Sequence, residues 1–321
     1  VSIRVQDICE ARERIAGVAK RTPLISSATL GKWSGCELFL KAENLQKTGS
    51  FKIRGASNKI LSLSPQERAR GVVTASSGNH GQAVACAAAL VGCKATVIMP
   101  EGGSVAKAES IKGYGAELLY CGTTSTERLA LAEKLRDERG LVFVPPYDDP
   151  MVMAGQGTIG LEILEDLDGV AAVLVPTGGC GLISGVAVAI KETTPRVKVY
   201  GVEPQGSNST GVSFREGKRT ALARTESSAD GILTLIPGEL TFPIVMRCVD
   251  GMLEVTEEQI LHAQRMALER CKLLIEPTGC VPLAALLSGA LPGELKGKKI
   301  VAIASGGNIG LDKLAAYLIK T

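Results

Sequence analysis

Lys52 lies in the stretch Lys47-Thr48-Gly49-Ser50-Phe51-Lys52-Ile53-Arg54-Gly55-Ala56, between an aromatic and a β-branched residue with small residues on either side. An amine held there would be partly desolvated, and desolvation favours neutral lysine. The free lone pair of a neutral ε-amine is what forms a Schiff base with a carbonyl. Alone the stretch says little, because most lysines pack their stem and reach water with their head. Three glycine-rich turns further along change its meaning.

The first turn is Thr74-Ala75-Ser76-Ser77-Gly78-Asn79-His80-Gly81-Gln82-Ala83, which leaves a strand and opens a helix. Helix N-termini carry unpaired N–H groups and partial positive charge, so this is a natural anion seat, and Ser76, Ser77 and Asn79 add donors suited to a carboxylate. Capping by Ser77 or Asn79 is the plain alternative, and both roles are compatible. His80, one of two histidines, reads as structural on its own. The second turn, Val175-Pro176-Thr177-Gly178-Gly179-Cys180-Gly181-Leu182, has the architecture that holds a phosphate on backbone N–H groups. It is neither a nucleoside-triphosphate loop nor the dinucleotide fingerprint, so a dinucleotide is the weaker rival. The third, Ala304-Ser305-Gly306-Gly307-Asn308, offers Ser305 as a neutral hydrogen-bond partner, or simply a cap. Three such turns and one isolated lysine are most economically explained by a single small phosphorylated cofactor.

The elements that must position these groups alternate. The pattern predicts helices over 5–18, 55–63, 79–90, 105–112, 126–139, 157–167, 182–191, 257–271, 283–287 and 311–319. Strands are expected over 38–41, 72–74, 95–99, 118–120, 141–144, 172–175, 197–202, 252–255 and 300–304. Pro65 is expected to stop the helix over 55–63, and Thr256 to cap the one over 257–271. Residues 206–238 read as short helices and loops. This β-α-β rhythm calls for parallel sheets covered on both faces, a doubly wound α/β fold with ligands at the carboxyl ends of strands. The run Pro145–Pro150 is the best boundary. We therefore expect two doubly wound α/β domains, the larger from residues 1–66 plus 149–321 and the smaller from 67–148.

Composition excludes several classes. Of 321 residues, 45% are hydrophobic, 21% charged and only 3% aromatic, with a net charge of +3 and no basic run, which argues against a nucleic-acid or membrane-surface partner. Nine cysteines without a C-x-x-C pair fit buried thiols in a cytoplasmic protein better than disulfides or zinc. No signal peptide and no apolar run of about 20 residues is visible.

The ordered set S-F-K-I-R-G-A, S-S-G-N-H-G-Q-A, P-T-G-G-C-G-L and S-G-G-N, with A-G-Q-G-T, S-A-D-G and L-L-I-E-P-T (Leu273–Thr278), resembles the fold-type II pyridoxal-phosphate (PLP) enzymes, the tryptophan synthase β-like fold. It is most similar to the serine/threonine dehydratase and serine racemase branch. The resemblance implies that Lys52 carries PLP on its ε-nitrogen with Phe51 packed beside it. Asn79 would bond the ring hydroxyl, Gly178, Gly179, Cys180, Gly181 and Leu182 would hold the phosphate, and Ser305 would face the pyridine nitrogen. Ser76, Ser77, Gly78, Asn79 and His80 would take the substrate carboxylate. Ser77 matches the second acid/base of the racemases. Cys180 replaces a further glycine and is accommodated if its φ stays negative. Several relatives bind a divalent cation near the residue matching Glu203. Here Ser209 replaces an aspartate and Ser207 offers only a carbonyl, so Glu203 is a weak ligand candidate and no metal is predicted.

The implied activity is dehydration and deamination of L-threonine to 2-oxobutyrate and ammonia, or of L-serine to pyruvate and ammonia. The alternatives are a serine racemase, a 3-hydroxyaspartate dehydratase if Arg128 faces the pocket, or a PLP-binding regulatory protein without turnover. The expected assembly is a homodimer or homotetramer in the cytoplasm. Ending at Thr321, the chain has no room for a regulatory amino-acid-binding domain, so feedback inhibition by isoleucine is not expected.

Overall fold

Strand pairing sorts the chain into two sheets. The computed structural model describes residues 2–76, 78–103 and 105–319. Its strands are β1 (Leu24–Ser26), β2 (Glu37–Lys41), β3 (Val72–Ala75), β4 (Ala95–Met99), β5 (Glu117–Tyr120), β6 (Val142–Phe143), β7 (Val170–Pro176), β8 (Lys198–Pro204), β9 (Gly251–Val255) and β10 (Lys299–Ile303). One sheet has the order β1-β2-β10-β7-β8-β9, the other β5-β4-β3-β6. Every pairing is parallel except β1 with β2. The chain leaves the six-stranded sheet after β2, builds all of the four-stranded one, and returns at β7.

Successive strand residues point to opposite faces. Val173, Val175, Val199, Val301 and Ile303 therefore enter one core, packed with Ile183, Val186 and Ile244. Ala172, Leu174, Val202, Ile300 and Ala302 enter the other, with Ile260, Val281 and Leu283. Burial of both faces is why these strands read as unbroken apolar runs rather than alternating ones.

Helix Lys52–Leu61 lies across helix Pro150–Asp166, and two glycines permit the approach. A β-carbon on Gly155 would meet the Gly55 Cα at 2.6 Å, and one on Gly55 would meet the Val152 carbonyl oxygen at 2.7 Å. Beneath this crossing Arg54 donates to Glu43 (2.8 Å) and to both oxygens of Glu162 (2.6 and 2.9 Å), while Lys41 reaches Glu162 at 2.7 Å. Arg54, Lys41 and Glu43 are all buried. The amine-bearing helix is thus clamped two residues beyond Lys52.

Several sequence expectations are corrected here. Pro65 does not merely stop a helix: it opens the next, Pro65–Arg70, where Ser64 accepts from Glu67 N, because a proline fits the first turn. Pro150 likewise opens its helix seven residues before the expected start, with Asp149 accepting from Met151 N and Val152 N. The helix after Thr256, capped as expected, runs over Glu257–Met266 and continues as a π-helical turn, Ala267–Cys271. Strand β1 and helices Ala28–Ser34 and Thr241–Cys248 have no counterpart in the sequence pattern. All nine cysteines are free thiols. Among the described residues no helix is long and apolar enough to cross a membrane.

Candidate active site

The carboxyl ends of β3, β7 and β10 and the start of helix Lys52–Leu61 converge on one cavity of about 200 Å³. Lys52 is aimed into it by the turn before it: Phe51 N donates to the Ser305 carbonyl (3.0 Å), and Ser50 forms an antiparallel bridge with Gly306. Its Nζ donates to the Pro146 carbonyl at 2.8 Å and lies 5.1 Å from the Phe51 ring centre. Burial pushes the amine down to about 8, with the Glu276 carboxylate pulling the other way.

Two helix N-termini face the same space. In helix Gly181–Thr193 the first intrahelical bond is Ser184 N to Cys180 O (2.9 Å), which leaves the N–H groups of Gly181, Leu182 and Ile183 without a partner inside the helix. In helix Asn79–Leu90 the first is Gln82 N to Gly78 O (3.0 Å), leaving those of Asn79, His80 and Gly81. The glycine turn forms a close cradle: a β-carbon on Gly179 would meet the Tyr147 ring at 2.3 Å, and one on Gly178 the Ile232 backbone at 2.8 Å. Cys180 departs from expectation. Its φ is +71°, so the loop keeps the left-handed turn of a glycine even with a side chain there. The thiol contacts the Gly178 carbonyl and Thr210 Oγ1, each at 3.2 Å, and burial pushes its pKa up. These contacts help offset the strain.

Of the residues named from the sequence, Phe51, Lys52, Ser76, Asn79, His80, Gly178, Gly179, Cys180, Gly181, Leu182 and Ser305 line this cavity, and Arg128 joins them. Gly78 caps the helix behind it, and Ser76 Oγ accepts from Gly78 N (3.1 Å). Ser77 lies outside the described residues. Asn79 makes no cap: its Nδ2 donates to Glu276 Oε1 at 2.6 Å. His80 is buried with Nε2 on the Val144 carbonyl (3.0 Å), and burial together with the charge of Lys52 lowers it to about 3, so it stays neutral. Arg128 has one buried nitrogen, Nη1, without a partner, and desolvation lowers its pKa.

Glu203 is elsewhere. Its oxygens accept from Thr210 N (3.0 Å) and Gly211 N (2.7 Å) in helix Ser209–Glu216, and burial, outweighing those bonds, holds it up to about 8. Each oxygen thus already accepts one backbone N–H. Among the described residues no group of three or more His, Cys, Asp or Glu is disposed to hold a metal.

Glu276 had no role from the sequence beyond its place in the Leu273–Thr278 motif. It is buried beside the cavity, raised to about 7 by burial, and its Oε2 has no partner. An amine of lowered pKa and a glycine cradle lined by free N–H groups are what an aldehyde-bearing, phosphorylated heterocycle would use. The family model described as pyridoxal-phosphate dependent enzyme matches residues 15–306.

The chain belongs to this family. It is 46% identical over 318 residues to the L-threonine ammonia-lyase of Thermotoga maritima, covering 99% of this chain and 79% of that one. It is 43% identical to the catabolic L-threonine dehydratase TdcB of Staphylococcus aureus strain N315, covering 98% and 92%. Among solved structures, maize serine racemase superposes with a TM-score of 0.95 at 37% identity, covering 100% of this chain and 98% of that one. A T.th. threonine deaminase gives 0.90 at 43%, covering 96% and 99%. The fold-type II assignment and the cofactor class made from sequence agree with these matches.

Proposed function

We propose that this family member dehydrates and deaminates β-hydroxy amino acids, converting L-threonine to 2-oxobutyrate and ammonia and L-serine to pyruvate and ammonia. The observation that carries the reading is the Lys52 amine, lowered to about 8 and pointing into the cavity shared by the glycine cradle and Ser305. PLP, when bound, supplies an aldehyde for the substrate amine and a conjugated ring that accepts the electron pair released at the α-carbon. In this reading the free Lys52 amine would serve as the base for the substrate α-proton. Residues 178–182 would hold the phosphate, the Ser76–His80 turn would seat the substrate carboxylate, and Ser77 would act as a second acid/base. Ser305 is neutral, so it does not hold a proton on the ring nitrogen as a carboxylate would. A ring nitrogen left unprotonated would make the ring a weaker electron sink and so favour loss of the β-hydroxyl, which would leave as water after taking a proton from the phosphate held at residues 178–182. Residues 67–148 form the smaller of two domains, and the enzyme works as a homodimer or homotetramer in the cytoplasm.

A second reading is supported by Arg128, which lines the cavity and has a buried Nη1 without a partner; a guanidinium there favours a substrate with a second carboxylate, such as 3-hydroxyaspartate. The test is a substrate panel scored for ammonia, 2-oxo acid and product chirality. Sustained 2-oxobutyrate release from L-threonine supports the first reading; D-serine without 2-oxo acid, or turnover confined to 3-hydroxyaspartate, refutes it.

A further inference from the structure

The amide of Asn79 is held from both sides by residues distant in sequence. Its Nδ2 donates to Glu276 Oε1 (2.6 Å), and its Oδ1 accepts from Asn308 Nδ2 (2.9 Å). Asn308 Nδ2 also donates to the Thr48 carbonyl at 2.8 Å and to Gln82 Oε1 at 3.2 Å. A backbone carbonyl can only accept, so Thr48 fixes which end of Asn308 faces inward. Asn308 therefore presents N–H to Asn79, and Asn79 must answer with its oxygen. An ionised carboxylate only accepts, so Glu276 imposes the same orientation once it is ionised, above its raised value of about 7. One N–H of Asn79 is used by Glu276, and the other is left for the cavity that this side chain lines.

Space around Glu276 is equally fixed. A β-carbon on Gly306 would lie 2.5 Å from its Oε1, and Glu276 N donates to the Gly306 carbonyl at 3.0 Å. The carboxylate thus sits between the turn of Ser305 and the helix of Asn79, tying together the ends of β3 and β10.

We propose that Glu276 is a positioning residue: with Asn308 it locks the Asn79 amide so that an N–H, and not the carbonyl oxygen, faces the ring oxygen of the cofactor. This rests on the reading that the cavity holds PLP. A donor at that oxygen stabilises its ionised form and the long-wavelength absorption that goes with it. The protonated ring hydroxyl absorbs in the near ultraviolet.

The experiment titrates wild-type, Glu276→Leu, Glu276→Gln and Asn308→Asp proteins with PLP at fixed pH. It records the two absorption bands and the dissociation constant, with far-ultraviolet circular dichroism as the folding control. Leucine removes the acceptor, and we expect the long-wavelength share to fall at least about twofold and affinity about tenfold, the effect of one lost charge-assisted bond. Glutamine keeps an acceptor oxygen and retains the wild-type band ratio. Aspartate at 308 sets an acceptor against Asn79 Oδ1 in place of the donor there, so the amide is no longer held in one orientation and turns to offer that aspartate an N–H, and the ratio falls as it does for leucine. Because Asn308 is only half-buried, this variant reports even if Glu276→Leu does not fold. Wild-type ratios in Glu276→Leu and Asn308→Asp overturn the proposal, as does a glutamine variant shifted as far as the leucine one. Wild-type protein with neither band sinks the cofactor reading as well.

Discussion

Replacing Arg54 by methionine keeps most of the packed stem and removes the guanidinium. Two buried carboxylates, Glu43 and Glu162, lose their shared partner, though Lys41 still reaches Glu162. Breaking a buried ion network from one side costs about 3–5 kcal/mol, because the abandoned charge stays out of water. At an unfolding entropy of about 2.1 cal/mol/K per residue, 321 residues give roughly 0.7 kcal/mol per degree, so the melting point should drop by about 4–7 °C. Arg54→Met with Glu43→Gln should recover about half of this loss, since one stranded charge is gone. Scanning calorimetry of the apo protein, with urea melts as a second probe, measures both. A loss below about 1 kcal/mol, or a double variant no better than the single one, would refute the reasoning. The sign of the pH dependence follows from Glu162. Although burial raises its pKa, the bonds and charges of Arg54 and Lys41 outweigh burial and hold it below the usual carboxylate range. Its contribution is therefore complete above the unfolded value of about 4.3 and is lost as pH falls through the lower folded value.

Lys52 should react with the PLP aldehyde half-maximally near pH 8, where burial has brought its pKa. At pH 7 about a tenth of the amine would be neutral, against about one part in 2,500 for an ordinary lysine; stopped-flow absorbance gives the profile, and a midpoint above pH 10 contradicts it. Because the folded value lies below the unfolded one, the apo protein gains stability as pH rises from about 8 toward 10.4, which urea melts across that range test. Cys180→Gly removes a β-carbon from a φ of +71° and relieves about 1–2 kcal/mol, offset by glycine's entropy and the lost thiol contacts. Its stability should stay within about 1 kcal/mol of wild type, whereas branched Cys180→Val should lose more than that; equal melts for the two would refute the strain. Gly179→Ala forces the Tyr147 ring aside at about 1–3 kcal/mol, so fluorescence titration should show PLP binding weakened about tenfold.

Motifs local in sequence were the legible ones. A strand, a glycine turn and a helix N-terminus announce themselves within about ten residues, so the loops at 74–83, 175–182 and 302–308 could be placed before any contact was known. Helix Asn79–Leu90 and strand β4 have the expected bounds. Glu276 and Asn308 were not legible as partners of Asn79, because they meet it across 197 and 229 residues and the motifs that carry them do not say what they face. Helix Pro150–Asp166 starts earlier than its pattern suggests: its buried Gly155, Gly157 and Gly160 weaken helix propensity, and their value lies in close packing that only the neighbouring helices reveal. Helix Thr241–Cys248 carries Pro243 and branched residues, and is held by packing rather than propensity. The left-handed turn at Cys180 runs against a side-chain rule, and the surrounding loop overrules the residue.

The most direct measurement is borohydride reduction of the PLP-loaded protein followed by proteolysis and mass spectrometry, run beside a Lys52→Ala variant assayed with L-threonine. The account predicts one reduced pyridoxyl group, on the peptide containing Lys52, and no 2-oxobutyrate from the variant. A label on another lysine, or undiminished turnover by Lys52→Ala, would contradict it.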